Sequence, residues 1–267
     1  MESHQLINQT SGKQEYYSPF DLVDAARWVM GGIDLDPASS EKANREIVKA
    51  ADFYAAPGYT QFVVPEVDPE LPTRTYLGKG GLDHQLHGRI WMNHPFGNPE
   101  NACKPNCTKK VCRKRGYHLG SDMPGNADWI NHIIGEYLAG RVTEACVLTY
   151  FSSSENWFAP LKKYPVCVID GRTNYLDPDT LEEVSGVPKG SCVTYLGPNL
   201  MRFHEAYSPF GEVKVSVRFL DHAEVRREFL DYFSPLDGYD SYEVDKLFAV
   251  WLAAWESAAN KLLALEP

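Results

Sequence analysis

Residues 88–97 read GRIWMNHPFG, and the prediction of the fold starts from this stretch. Residues 89–92 form a short β-prone run, which predicts a buried strand. Residues 93–97 contain Pro and Gly, which make a tight and stiff turn directly after that strand. In open α/β sheets, ligands bind at the edge where strands have their carboxyl ends. The polar and aromatic residues of this turn are therefore expected at a ligand site.

The composition of this turn suits chemistry on a planar amine. The side-chain oxygen of Asn93 and the backbone carbonyl of His94 can both accept a hydrogen bond from one NH₂ group, with the carbonyl of Pro95 assisting. Phe96 can stack on the ring that carries the amine. Accepting both protons moves the nitrogen lone pair out of conjugation and aims it at an electrophile. Such a reaction needs positioning and oriented acceptors and no strong base.

The composition bounds the class of protein. A chain of 267 residues with 43% hydrophobic and 23% charged residues is long enough for a full core, and we expect one domain over residues 1–267. There is no apolar run of about 18 residues and no signal-peptide pattern, so we expect a cytoplasmic protein without a membrane partner. The net charge of −10 argues against general nucleic-acid affinity, so any such contact must use a local basic patch.

Two acids precede the first predicted βα turn. Ser18 is expected to cap a helix that ends at the glycines 31–32. Residues 33–36 then predict a short strand carrying Asp34 and Asp36, and residues 37–40 turn into a helix over 41–50. An acid between a first strand and a helix N-terminus is a usual place to bind polar groups of a cofactor. The alternative is that both acids only cap and solvate the turn.

A cysteine- and histidine-containing insert, residues 98–122, follows the turn at 93–97. Cys103, Cys107, Cys112 and His118 lie close together in sequence, and tetrahedral zinc takes four such ligands. In a cytosolic chain this clustering predicts a structural zinc site more than a disulfide. The alternative is that the cysteines are plain thiols.

The same insert is strongly basic and contains no acid among its cations. A zinc ion would hold these cations rigidly beside the turn at 93–97, where they can contact the phosphates of DNA. The alternative is a merely solvated charge run. The predicted DNA-binding residues are Lys104, Lys109, Lys110, Arg113, Lys114 and Arg115.

The remaining chain alternates short strands and helices, which predicts an α/β doubly wound sheet with helices on both faces. Cys146, Cys167 and Cys192 lie inside apolar strand-like runs and are expected in the core. Residues 221–267 predict a C-terminal helical extension. The apolar stripe of its last helix either packs on the body or forms a dimer seam, so we expect a monomer or a weak homodimer.

The residues Asn93-His94-Pro95-Phe96 resemble the NPPY/NPPF-type motif of amino-methyltransferases. The chain around them is similar to the bacteriophage Dam-like DNA adenine-N6 methyltransferase family over roughly residues 16–215. The motifs that carry this resemblance are Tyr17-Ser18-Pro19, residues 33–40, Gly81-Leu82, residues 88–93, Asp128-Trp129-Ile130 and Gly171-Arg172.

The resemblance implies a Rossmann-like fold that uses S-adenosylmethionine (AdoMet) to methylate an adenine flipped out of DNA, in the host cytoplasm for a phage-encoded protein. It implies catalytic roles for Asn93, His94, Pro95 and Phe96. The cofactor-binding residues that it implies are Tyr17, Ser18, Pro19, Asp34, Asp36 and Pro37.

One residue departs from the family motif, since His94 stands where its first proline is expected. We expect the turn to lose some stiffness and to gain a group that titrates near neutral pH. Three other functions remain open: cytosine-N4 methylation of DNA, methylation of RNA or a free nucleotide, and a non-catalytic zinc-containing DNA-binding protein on the same fold.

Overall fold

A computed structural model describes residues 17–55, 59–62, 73–76, 80–184 and 189–215 of the chain. The chain divides into two compact units, residues 1–216 and 217–267. The predicted helical extension at 221–267, with its dimer seam, lies outside the described residues. No helix within the described ranges is long and apolar enough to cross a membrane.

The described part of the chain alternates helices and strands. In chain order the elements are α1 (Phe20–Met30), β1 (Leu35–Ser39), α2 (Glu41–Ala43, continued as a π-helix over Asn44–Val48), β2 (Asp52–Ala55), β3 (Tyr59–Phe62), β4 (Thr73–Tyr76), a 3-10 turn (Gly80–Asp83), β5 (Gly88–Met92), α3 (Lys110–Arg115), β6 (His118–Leu119), α4 (Asn126–Leu138), β7 (Val142–Tyr150), a 3-10 helix (Asn156–Lys163), β8 (Val166–Ile169), β9 (Tyr175–Leu176), β10 (Glu183–Val184), β11 (Ser191–Leu196), α5 (Leu200–Tyr207) and β12 (Gly211–Lys214).

A seven-stranded sheet forms the centre of this unit, in the order β12-β8-β11-β7-β5-β1-β2. The pairs β2/β1, β1/β5 and β5/β7 are parallel. The pairs β7/β11, β11/β8 and β8/β12 are antiparallel. Five strands (β2, β1, β5, β7 and β8) therefore share one direction, which confirms the predicted α/β class with a mostly parallel sheet.

Successive side chains of β5 face opposite sides of the sheet, because the side-chain period of a strand is two. Trp91 packs in one core cluster with Val23 of α1, whereas Ile90 and Met92 pack in the other with Ile130 of α4. All three strand residues are fully buried, and burying such a side chain contributes about 1.5–3 kcal/mol. The helices thus cover both faces, as predicted.

The connections from β1 and β5 leave in opposite directions along the sheet. The chain passes from β1 through α2 to β2 on one side, and from β5 through α4 to β7 on the other. Neighbouring strands with diverging connections leave a crevice at their carboxyl ends, which is the usual ligand position in open α/β sheets. The turn at 93–97 follows β5 and lies at this topological switch point.

An ion pair joins β1 to β5 at their amino ends. Asp34 Oδ1 lies 2.6 Å from an Arg89 guanidinium nitrogen, and Asp34 Oδ2 accepts from the Arg89 backbone N–H at 2.8 Å. Hydrogen bonds from the Arg89 side chain lower the pKa of Asp34 to about 2. Gly88 is required here, since its φ is +69° and a Cβ would lie 2.6 Å from Asp34 Oδ2.

Two predicted boundaries near the start are wrong. Pro19, not Ser18, occupies the N-cap of α1, and no side chain caps this helix. Strand β1 runs over Leu35–Ser39 instead of 33–36. Pro37 has no N–H for the ladder, so the pairing with β2 shifts between Asp36 and Ser39 and the strand continues past the proline as a bulge.

The insert at 98–122 is closed by a short stem. Glu100 and Met123 form a two-bond antiparallel bridge, with N···O distances of 3.1 and 2.8 Å. The Ala102 N–H donates to Asp122 Oδ1 at 2.8 Å, and the Cys103 N–H donates to the Leu119 carbonyl at 2.7 Å. Beyond the stem, β6 pairs with β4 in a three-stranded sheet with β3. The insert therefore leaves and rejoins the main body at nearly the same place.

Candidate functional site

A pocket opens at the switch point between β1 and β5, and we call it the switch-point pocket. Its walls come from five parts of the chain: the segment before α1, the end of β1 with α2, the turn after β5, the end of β7 and strand β9. The lining residues are Tyr17, Ser18, Asp36, Ala38, Ser39, Ser40, Ala43, Ile47, Val48, Asn93, His94, Pro95, Phe96, Tyr150 and Tyr175.

Ser18 fixes the orientation of Asn93. The Asn93 side-chain NH₂ donates to Ser18 Oγ at 3.1 Å, and the indole N–H of Trp91 donates to the same oxygen at 3.1 Å. Because Ser18 holds the nitrogen of the amide, the Asn93 oxygen is the end that can accept from a ligand. Ser18 is 5% exposed, so this arrangement is shielded from water. Its role is to orient Asn93, not to cap α1 as predicted.

The His94 ring is held by Asn126, the first residue of α4. Asn126 Oδ1 lies 3.1 Å from the Gly97 backbone nitrogen and 3.2 Å from His94 Nε2. The Gly97 N–H can only donate, so the Asn126 atom is an acceptor and His94 Nε2 must carry a hydrogen. His94 Nδ1 has no hydrogen-bond partner among the described residues.

His94 does not titrate near neutral pH, so that expectation is wrong. The ring is 1% exposed and stacks on Trp129 with centroids 5.9 Å apart. Burial lowers the pKa of His94 to about 4, because desolvation penalises the charged form more than the bond to Asn126 favours it. The ring is therefore neutral at physiological pH.

Three aromatic side chains form one wall of the pocket. The ring centroids of Phe96 and Tyr150 lie 4.4 Å apart, and Tyr175 lies 6.3 Å from Phe96 in a T-shaped arrangement. The Tyr175 hydroxyl and Ser191 Oγ are hydrogen-bonded at 2.9 Å. Sequence reasoning missed both tyrosines. A signal existed for Tyr150, which is the last residue of β7, the strand beside β5.

Asp36 of β1 contributes a buried carboxyl group to the lining of the pocket. It is 3% exposed, and its Oδ1 accepts from the Ala38 N–H at 3.1 Å. Burial raises its pKa to about 7, against the opposing effect of hydrogen bonds from Ser39 and Ala38. Nearby, the Tyr17 hydroxyl and Ser40 Oγ lie 2.7 Å apart. The Asp36 carboxyl group can accept hydrogen bonds from a ligand and, when ionised, compensate a positive charge.

The six predicted cofactor-binding residues divide into two groups. Tyr17, Ser18 and Asp36 line the pocket. Pro19, Asp34 and Pro37 are not lining residues. Pro19 occupies the N-cap position of α1, and Asp34 binds Arg89 at the amino ends of β1 and β5. Pro37 packs against Gly81, where an added Cβ would lie 2.5 Å from the Pro37 Cβ.

The four predicted metal ligands come together. The ligand atoms of Cys103, Cys107, Cys112 and His118 all lie within 4.8 Å of one another. Cys112 Sγ lies 3.5 Å from Cys103 Sγ and 3.8 Å from Cys107 Sγ, and the Leu119 N–H donates to Cys103 Sγ at 3.4 Å. Three sulfurs and one imidazole at this spacing can hold a tetrahedral metal ion such as zinc.

The basic side chains of the insert that the structure describes are exposed. Lys109 is partly neutralised, since its Nζ lies 3.7 Å from Glu100 and donates to the Asn101 carbonyl at 3.5 Å. The side chain of Arg115 lies outside the described residues. The other four predicted cations are exposed: Lys104, Lys110, Arg113 and Lys114.

Comparison of the chain with protein-family models, with curated proteins and with solved structures gives no match in any of the three.

We predict that His94 makes the folded protein less stable as the pH falls from about 6.5 to about 4. In this window the unfolded chain, with an ordinary histidine pKa of about 6.5, binds a proton that buried His94 does not, and the total effect is about 3 kcal/mol. Urea unfolding of the wild type and His94→Asn at several pH values measures it. Asp36 acts in the opposite direction in both proteins and cancels in the comparison. Parallel pH profiles would contradict the prediction.

Proposed function

We propose that this protein is an AdoMet-dependent DNA methyltransferase that acts on the exocyclic amine of adenine, with a Rossmann-like methyltransferase fold. The observation that carries the proposal is the Asn93 amide, oriented by Ser18 in a pocket at the topological switch point. An aromatic wall beside an oriented acceptor suits a flat ring bearing an NH₂ group.

The turn at 93–97 supplies the acceptors for that amine. The Asn93 oxygen and the His94 carbonyl each accept one N–H, which moves the nitrogen lone pair out of the ring. AdoMet supplies an electrophilic methyl group when it is bound. The acceptors are fixed before the substrate arrives, since Ser18 holds Asn93 and Asn126 holds the rest of the turn. Preorganised acceptors of this kind stabilise developing positive charge without reorganisation.

The aromatic wall provides the surface for the flipped base. Phe96 and Tyr150 are partly buried, and stacking of a base on such a ring contributes about 1–3 kcal/mol. This energy offsets part of the unstacking cost of a few kcal/mol. Lys189 Nζ lies 6.0 Å from the Tyr150 ring centroid and adds positive charge beside the wall.

AdoMet would bind beside Asp36 in the same pocket. AdoMet carries ribose hydroxyls and an ammonium that can donate hydrogen bonds to a buried carboxyl group, and a sulfonium whose charge an ionised carboxylate can compensate. Asp36 would accept hydrogen bonds from the hydroxyls or the ammonium of AdoMet, and Tyr17 and Ser40 would add hydroxyls beside it. The amino-terminal end of α2 begins at the same place, capped by Ser40.

The insert would contact DNA. A structural zinc ion held by Cys103, Cys107, Cys112 and His118 would fix a segment that has little apolar core of its own. The exposed cations Lys104, Lys110, Arg113 and Lys114, with Lys109 and Arg115, would then bind phosphates of the DNA. This local patch lets a chain of net charge −10 bind a polyanion.

The first prediction is methyl transfer that depends on Asn93. The wild type with labelled AdoMet and unmethylated bacterial DNA should yield N6-methyladenine after digestion to nucleosides. Asn93→Ala should lower kcat about 100-fold or more, because one oriented acceptor is lost, while AdoMet affinity changes little. The exposed neighbour Asn98 serves as the control, and Asn98→Ala should keep wild-type turnover.

Other results of that assay decide between the alternatives. N4-methylcytosine would keep the mechanism and change the base. A product on RNA or free nucleotides alone would change the substrate class. AdoMet binding without any product on these substrates would leave a non-catalytic protein, and the absence of both AdoMet binding and product would overturn the proposal.

The second prediction concerns Asp36. AdoMet affinity should increase up to about tenfold per unit as the pH rises towards about 7, since the carboxyl group ionises there, and should then level off. Asp36→Asn should bind AdoMet more weakly and without this pH dependence. Asp24→Asn is the control, because Asp24 is an exposed carboxylate on α1 that does not line the pocket. Calorimetry at pH 6, 7 and 8 measures the AdoMet affinity of the wild type and of the variants. Equal affinities for the wild type and Asp36→Asn would contradict the prediction.

The third prediction concerns the metal. The purified protein should contain about one zinc per chain, and Cys112→Ala should lose it, since Cys112 is the buried thiol at the centre of the cluster. Cys192→Ala changes a buried thiol in the core and should keep the metal. Plasma mass spectrometry measures the zinc content, and a gel-shift assay measures the DNA affinity. An equal zinc content in Cys112→Ala and Cys192→Ala would contradict the proposed zinc site.

A further inference from the structure

Asn126 holds the turn at 93–97 at two points, in addition to the hydrogen bond between Ser18 and Asn93. Asn126 Oδ1 lies 3.2 Å from His94 Nε2 and 3.1 Å from the Gly97 nitrogen, so one oxygen accepts near both ends of the turn. The Asn126 backbone N–H also donates to the Gly97 carbonyl at 2.9 Å. Asn126 is 8% exposed, so water competes little for these bonds.

Asn126 reaches the turn although the whole insert lies between Gly97 and Asn126 in the sequence. The bridge between Glu100 and Met123 closes the insert. Gly125 lies so close to Pro99 that a Cβ would be 2.4 Å from the Pro99 nitrogen. The stem therefore returns the chain to Gly97, and α4 starts there with Asn126 as its first residue.

We propose that Asn126 is a positioning residue for methyl transfer, and that the His94–Asn126 hydrogen bond supplies the stiffness that a proline at position 94 would give. The inference rests on the proposed function. A His94 ring with one hydrogen, on Nε2, donates to Asn126 and keeps the backbone at residue 94 in place. The His94 carbonyl, which accepts from the substrate amine, is thereby fixed. Asn126 itself does not line the pocket.

The geometry makes the two residues interdependent. In the wild type, loss of the Asn126 side chain removes the acceptor for His94 and for the Gly97 N–H, and the backbone bond from Asn126 to Gly97 remains. A displacement of about 1 Å at a reacting group can cost about 100-fold in rate. With a proline at position 94, φ is fixed by the ring and the His94 bond is absent, so the same loss should matter less.

The test is a double-mutant cycle on the full-length, metal-containing protein. Asn126→Ala should lower kcat about 10- to 100-fold with AdoMet Kd within about twofold and zinc content unchanged. Asn126→Asp keeps a carboxylate oxygen as acceptor and should retain kcat within about fivefold. In the His94→Pro background, Asn126→Ala should cost less than about fivefold. Asn131→Ala, an exposed change on the same helix, is the matched control.

A second measurement reads the hydrogen bond without activity. Nitrogen-15 NMR of the wild-type histidines should give a single Nε2–H form for His94, and Asn126→Ala should give a mixture of both neutral forms. Circular dichroism checks that the variants fold. If Asn126→Ala keeps wild-type kcat, or if its cost is the same in the His94→Pro background, the inference is overturned. If the wild type neither binds AdoMet nor methylates nucleic acid, the proposed function is overturned and the positioning role of Asn126 with it.

Discussion

The parallel pairing of β1 with β5 is the constraint on which the site depends. Asp34 and Arg89 join the amino ends of these strands through charged hydrogen bonds, and the close approach of Gly88 to Asp34 allows no side chain there. The carboxyl ends diverge into α2 and α4 on opposite sides of the sheet. This pairing therefore sets the separation of Asp36 from Asn93, and the pocket lies in the crevice between them.

Around that crevice, the polar groups are held by neighbours that themselves are buried. Ser18 Oγ accepts hydrogen bonds from the Asn93 amide and the Trp91 indole. Asn126 Oδ1 accepts hydrogen bonds from the His94 ring and the Gly97 N–H. A buried polar group without such a partner costs about 1–3 kcal/mol, so these bonds are needed for stability as well as for orientation. Asp36 differs from them, since burial raises the pKa of its carboxyl group to about 7 in spite of the hydrogen bonds from Ser39 and Ala38.

The insert at 98–122 forms a separate substructure that leaves the path of the main body unchanged. Its stem closes at Glu100 and Met123, so a long excursion returns to within hydrogen-bonding distance of its starting point. The cluster of Cys103, Cys107, Cys112 and His118 lies beyond the stem. Its exposed cations can therefore vary in position or number without moving the turn at 93–97, which is braced by Asn126.

The sequence by itself determined the local elements and the chemistry of the turn. Strand β5, the helices on both faces, the buried thiols and the four clustered ligands all follow from patterns of neighbouring residues, because periodicity and spacing are local properties. Only the tertiary structure decided which acid faces the pocket, that Ser18 orients Asn93, and that Tyr150, Tyr175 and Asn126 complete the site. These depend on strand register and on burial, which arise when distant segments pack together. For the same reason His94 was expected to titrate near neutral pH, whereas the folded protein keeps it neutral by burying it.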